Sequence, residues 1–141
     1  MRILLFGHTY QPSRSEQIRH VLQTLSRTEA ELVAHGDFYD FLSKEFPDVC
    51  HRIGEIDCRS DYTADMALSI GGDGTFLRAA EKIGDRGIPV LGVNIGRLGF
   101  LADVPAEEVE PVLNEILEGK YKIEERSLLQ VEFNGLSENF W

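Results

Sequence analysis

The chain has 141 residues, enough for one domain or for a small domain with part of another. Hydrophobic residues make up 43% and charged residues 27%, the balance of a soluble globular protein. The formal charge, 14 − 24 = −10, argues against nucleic acid and anionic membrane as general partners. It leaves room for a nucleotide, because a helix terminus or a metal overcomes the global field locally.

Ile3 to Phe6 is a short, wholly apolar run. It is too short for a signal-peptide core or a membrane span, and it predicts a buried parallel strand. No later stretch approaches membrane-spanning length. Gly7-His8-Thr9 follows, at the strand end where open α/β sheets place ligands. Gly7 and Thr9 either border a nucleotide or simply connect strand to helix.

Ser13 or Ser15 is expected to cap a helix whose apolar stripe is Ile18, Val21, Leu22 and Leu25. Leu32-Val33-Ala34 is a candidate second strand. Phe38, Phe41, Leu42 and Phe46 keep helical spacing, and Pro47 ends that helix. Ile53 and Ile56 mark a short edge strand in an otherwise polar stretch. Cys50 and Cys58 match no zinc or redox spacing and read as reduced thiols of a cytoplasmic protein. The four histidines, His8, His20, His35 and His51, are scattered and suggest no metal site.

Ala64 to Ile70 predicts a strand, and Thr75 to Ile83 a helix. Between them stands Gly71-Gly72-Asp73-Gly74-Thr75. Glycines let the backbone take positive φ and let a ligand approach the main chain. A turn that opens a helix presents unpaired N–H groups, which suits phosphate. Asp73 is unexpected there, since a carboxylate repels phosphate unless it holds a metal or accepts a proton from a hydroxyl. Phosphoryl transfer needs both roles. The alternative is a tight turn in which Asp73 caps the next helix. The motif is neither a P-loop nor the dinucleotide GxGxxG.

Ile88 to Val93 predicts another buried strand, with Pro89 near its start. A second glycine-punctuated loop follows: Asn94-Ile95-Gly96-Arg97-Leu98-Gly99-Phe100-Leu101. It should lie on the same sheet edge as the first. Asn94 either bonds a ligand or braces the turn, and Arg97 either meets a phosphate or is exposed. Phe100 either walls a nucleotide pocket or packs on the neighbouring helix. Glu107 to Glu118 is an amphipathic helix, with Pro105 at its start and Gly119 at its end. Glu107, Glu108 and Glu110 sit near the positive end of its dipole and stabilise it.

After Gly119 the pattern changes. Leu128 to Phe133 alternates like a half-exposed strand, and Asn134-Gly135 is a strong hairpin signal. Residues 1–123 are therefore expected to form an α/β nucleotide- or phosphate-binding domain. That domain has an open, mostly parallel sheet with helices on both faces. Residues 124–141 open a truncated β-rich domain, which leaves the aromatics Phe140 and Trp141 nothing to pack against.

With both glycine loops placed, the chain resembles the NAD kinases, which make NADP with ATP or polyphosphate as donor. Gly71 to Thr75 resembles the family's first signature, and Asn94 to Leu101 its second, about twenty residues on. Glu125 to Leu129 resembles its crossing into a β-rich, Rossmann-following C-terminal domain. Lipid kinases of the diacylglycerol and sphingosine type share the first motif but not the second. A non-catalytic nucleotide-binding module is the reading from another class.

The resemblance implies that Asp73 acts as base toward the 2′-hydroxyl of the adenosine ribose of NAD. Such help is typically worth ~10²–10⁴ in rate. It implies that Gly74 contacts NAD through its backbone and that Arg78 reaches a substrate phosphate. Gly71, Gly72 and Thr75 would shape the phosphate cradle, and Asn94, Gly96 and Phe100 would line the NAD pocket. A divalent cation, magnesium, would accompany ATP, and the full-length protein would be a dimer or tetramer. The family's later Asn-Glu pair and Gly-Ser/Thr loop fall beyond Trp141, so the chain alone is expected to be inactive.

Overall fold

The computed structural model describes residues 1–9, 12–57, 59–133 and 136–140, with the backbone alone at 12, 132, 133 and 136–140. Six parallel strands form one sheet: β1 (Arg2–Gly7), β2 (Glu31–His35), β3 (Ile53–Ile56), β4 (Met66–Gly71), β5 (Val90–Asn94) and β6 (Val104–Pro105). Their spatial order is β3-β2-β1-β4-β5-β6. The chain winds outward one way from β1 and then the other way from β4. The direction reverses between β1 and β4, and ligands of such sheets bind outside the carboxyl ends of the strands at that reversal.

β1 and β4 are central because they are apolar on both faces. Ile3, Leu4, Leu5, Ala67 and Leu68 are each 0% exposed. Ile3, Leu5, Leu68 and Ile70 face one layer, with α1 (Ser15–Ser26), α2 (Gly36–Glu45), α3 (Pro47–Cys50) and α5 (Val109–Leu117) packed over them. Leu4, Phe6 and Ala67 face the other, which α4 (Asp73–Ile83) and Tyr62 cover. Right-handed crossovers explain the two layers. The connection from β1 to β2 runs one way across the sheet and that from β4 to β5 the other, so α1 and α4 fall on opposite faces.

Several boundaries differ from the sequence reading. Neither Ser13 nor Ser15 caps α1. A 3-10 turn at Pro12–Arg14 leads into it, and Arg14 is the N-cap without a side-chain bond. Pro89 precedes β5 rather than lying in it, and its carbonyl accepts from Ala67 N–H at 2.8 Å. The predicted 107–118 helix divides into a 3-10 turn at Ala106–Glu108 and α5. α5 closes with Gly119 at φ 73, where Gly119 N–H meets Ile116 O (2.9 Å) and Lys120 N–H meets Glu115 O (2.8 Å). This pair of bonds satisfies the last carbonyls of a helix and requires a residue at ease with positive φ.

A separate two-stranded antiparallel sheet joins β7 (Leu129–Phe133) to β8 (Leu136–Phe140). The turn expected at Asn134-Gly135, and Trp141, lie outside the described residues. Cys50 is a buried free thiol 3.4 Å from Ser43 Oγ, and Cys58 lies outside the described residues. Among the described residues no helix is long and apolar enough to cross a membrane.

Candidate functional site: two glycine loops on one sheet edge

β4 delivers Gly71 to the carboxyl edge of the sheet, and α4 starts two residues later with Gly72 as its N-cap. The glycines of this loop are not there for positive φ, which among the described glycines occurs at Gly84, Gly87 and Gly119. Gly71 is buried under Thr75, whose side chain fills the space that a Cβ would take. Gly72 has open space where its side chain would be. Gly74 is exposed.

Asp73 does not cap its own helix. Its carboxylate crosses to the second loop, which leaves the end of the adjacent strand β5. Oδ1 accepts from the N–H groups of Leu101 (2.9 Å) and Ala102 (3.0 Å), and Oδ2 from Phe100 N–H (3.0 Å). These amides, Ala102 first, then Phe100 and Leu101, hold the carboxyl below its usual range, and desolvation opposes them only in part. Bonds to the charged form favour that form, so Asp73 is ionised at neutral pH. A further bond, Ile95 N–H to Gly71 O at 3.1 Å, ties the loops at their bases.

Asn94 is buried at the root of the second loop and is spent on it. Its Nδ2 donates to Arg97 O (2.7 Å) and Ala102 O (3.1 Å), and its Oδ1 accepts from Gly96 N–H (2.7 Å). Of the two roles open to it in sequence, it fills that of a brace. The loop it shapes carries Phe100 99% exposed, so Phe100 does not pack on a neighbouring helix.

A cavity of about 330 Å³ opens at the β1/β4 reversal. His8 and Thr9 border it just past β1, His35 from β2, and Thr75, Arg78 and Lys82 from α4. Arg78 and Lys82 stand one helical turn apart on one face, so two cations outweigh the Asp37 carboxylate that also lines this cavity of an acidic protein. His35 is held below its usual range, first by burial and then by the Lys82 ammonium. A second cavity, about 290 Å³, lies on the far side of the second loop, against Arg14, Asn94, Gly96, Leu98 and Glu107. Sequence reasoning passed over Lys82 and Arg14. Lys82 had a signal, four residues after Arg78. Arg14 had none, since only the fold brings α1's start beside Gly96.

The family model described as the ATP-NAD kinase N-terminal domain matches residues 3–121. The chain belongs to this family. Among curated relatives, the NAD kinase of Bacteroides fragilis (strain YCH46) is 41% identical over 131 residues, covering 93% of this chain and 45% of the relative. The NAD kinase of Porphyromonas gingivalis (strain W83) is 38% identical over 143 residues, covering 99% and 48%. The chain thus spans about half the length of the curated relatives it matches. Yeast NADH kinase complexed with NADH superposes with a TM-score of 0.76 at 24% identity, over 92% of this chain and 41% of that one, and shows the shared fold.

In this ATP-NAD kinase N-terminal domain the nine residues singled out in sequence all fall on the carboxyl edge, in three groups. Gly71, Gly72, Asp73, Gly74 and Thr75 form the turn into α4, and Arg78 extends it along the helix toward the cationic cavity. Asn94, Gly96 and Phe100 belong to the loop that Asp73 holds.

Proposed function

We propose that the protein is an NAD kinase, transferring the terminal phosphoryl group of ATP or polyphosphate to the 2′-hydroxyl of the adenosine ribose of NAD. The activity is that of a protein in which this half is joined to the remainder its relatives carry. The observation that carries the reading is the Asp73 carboxylate, ionised and fixed where two glycine loops meet on one sheet edge.

A carboxylate has about four acceptor positions. Oδ1 uses two on Leu101 and Ala102, while Oδ2 uses one on Phe100. Oδ2 therefore keeps a position for the ribose hydroxyl. The hydroxyl oxygen attacks the terminal phosphorus, the bond from phosphorus to the leaving diphosphate oxygen breaks, and the hydroxyl proton passes to Oδ2. The lowered basicity of Asp73 is not an obstacle. A loose phosphoryl-transfer transition state asks little of the nucleophile, so orientation of the hydroxyl matters more than proton removal.

Arg78, with Lys82 beyond it, meets donor phosphates, and the amides that open α4 meet the phosphate nearest the turn. Gly71, Gly72 and Thr75 shape that turn, and Gly74 lies against NAD through its exposed backbone. Gly96 and Phe100 border NAD, with Asn94 acting through the loop. The donor enters with a divalent cation, magnesium. The setting is cytoplasmic, and the full-length protein is a homo-oligomer.

Asp73→Asn tests the assignment. It should keep NAD affinity within a few-fold and lose at least about 10² in turnover. Turnover within about ten-fold of the parent would remove Asp73 from the chemistry and favour a nucleotide-binding module.

A further inference from the structure

The second loop touches Asp73 at a residue whose missing side chain leaves room for the carboxylate. A Cβ built on Gly99 would lie 2.3 Å from Asp73 Oδ1, 2.6 Å from its Cγ and 2.7 Å from its Oδ2. All three atoms are the end of the Asp73 side chain, which three amides hold in place, so the contact is relieved by moving the carboxylate off those amides. The three donor amides come from the next three residues, Phe100, Leu101 and Ala102. Gly99 is therefore the point at which the loop backbone closes onto the carboxylate.

We propose that Gly99 is a positioning residue for Asp73: the absence of its side chain lets the second loop seat the carboxylate with Oδ2 open to the acceptor hydroxyl. The inference rests on the NAD kinase reading for what Asp73 does, but not for how Asp73 is held. It gives the second motif a role besides lining a pocket. The motif sets where the first motif's carboxylate stands, and its amides hold that carboxyl below its usual range. No charged side chain contributes to that state, whose causes are the three amides opposed by desolvation. The loop therefore controls the carboxylate by geometry, and an atom inserted at residue 99 displaces it.

The test has two arms, and the first needs no substrate. Amide chemical shifts of Phe100, Leu101 and Ala102 are followed by NMR as the pH is lowered in the parent protein, Asp73→Asn and Gly99→Ala. In the parent the three amides should shift together with one midpoint below 3.8, the ordinary value for this carboxyl. Asp73→Asn should abolish that transition, and Gly99→Ala should move its midpoint up toward the ordinary value. Independent amide behaviour in the parent, or an unchanged midpoint in Gly99→Ala, overturns the proposal.

The second arm is kinetic and uses the protein extended to the length of its relatives, with and without the substitution. Misplacement of a reacting group by about 1 Å costs roughly 10² in rate. Gly99→Ala should lower kcat on that scale with KM for the donor changed less than three-fold. A loss confined to KM, or an unchanged kcat, overturns the positioning role. Should the amides behave as expected while the protein extended to the length of its relatives forms no NADP, the clamp stands and the kinase reading fails.

Discussion

A Cβ on Gly71 would stand 2.3 Å from Thr75 Oγ1 and 2.7 Å from Thr75 Cβ. The last residue of β4 and the first turn of α4 are in contact through a missing side chain. Gly71→Ala forces the helix away from the sheet, and such overpacking costs typically about 1–3 kcal/mol. Urea denaturation should show the midpoint falling with the slope unchanged. A parent-like midpoint would mean that strand and helix separate more easily than this contact implies.

Gly72 is the opposite case. A Cβ there meets nothing within 4 Å, and its backbone, at φ −130 and ψ −164, is extended and open to any residue. Gly72→Ala should leave the denaturation midpoint unchanged. If the turn cradles phosphate, the same methyl stands where the ligand approaches, and the KM for the phosphoryl donor should rise by about ten-fold or more. Unchanged stability with unchanged KM would take the donor away from this face of the turn.

Asn94→Ala removes three bonds from the second loop at once. Gly96 and Arg97 are exposed enough to find water, but Ala102 is 0% exposed and its carbonyl loses a partner. A buried group left unpaired costs about 1–3 kcal/mol. Thermal denaturation should register that loss. The loop that supplies amides to Asp73 loosens with it, so the carboxyl midpoint should rise in the same variant.

Three groups make stability fall on the acid side, His35 in one window and Asp57 with Asp73 in another. His35 is depressed from 6.5 by burial and by Lys82, against the opposing pull of Asp37, Asp57 and a bond at the Ile56 backbone. Protonation then favours the unfolded chain, so stability falls as pH drops below 6.5 toward the folded value. Asp73 is depressed from 3.8, so its contribution is complete above 3.8 and is lost as pH falls through its lower folded value. Denaturation midpoints of the parent and His35→Gln across this range check the first window. The decline beginning near 6.5 should be smaller in the variant.

Much of this architecture was legible because buried parallel strands are plain apolar runs. Ile3–Phe6 and Met66–Ile70 declared themselves by composition, and the helices by the spacing of Ile18-Val21-Leu22-Leu25 and Phe38-Phe41-Leu42. The placing of both glycine loops on one edge followed from each loop coming after a strand. What lay hidden was the pairing between them. Asp73 is held by main-chain N–H groups, and those leave no mark on residue identity at 100 to 102. Gly99 reads in sequence like any other loop glycine, and only its distance to Asp73 gives it a part. β6 is two residues long and breaks no pattern. Phe100 was expected either to wall a pocket or to pack on a helix. Its 99% exposure excludes the helix and leaves its ring against solvent.

The most direct measurement is phosphoryl transfer from labelled ATP with magnesium, offering NAD and diacylglycerol side by side. It should be run with the 141-residue chain and with a protein extended to the length of the relatives. The expected result is labelled NADP from NAD alone, formed by the extended protein and lost in Asp73→Asn. Transfer to diacylglycerol, or no NADP from the extended protein with ATP or polyphosphate, would contradict it.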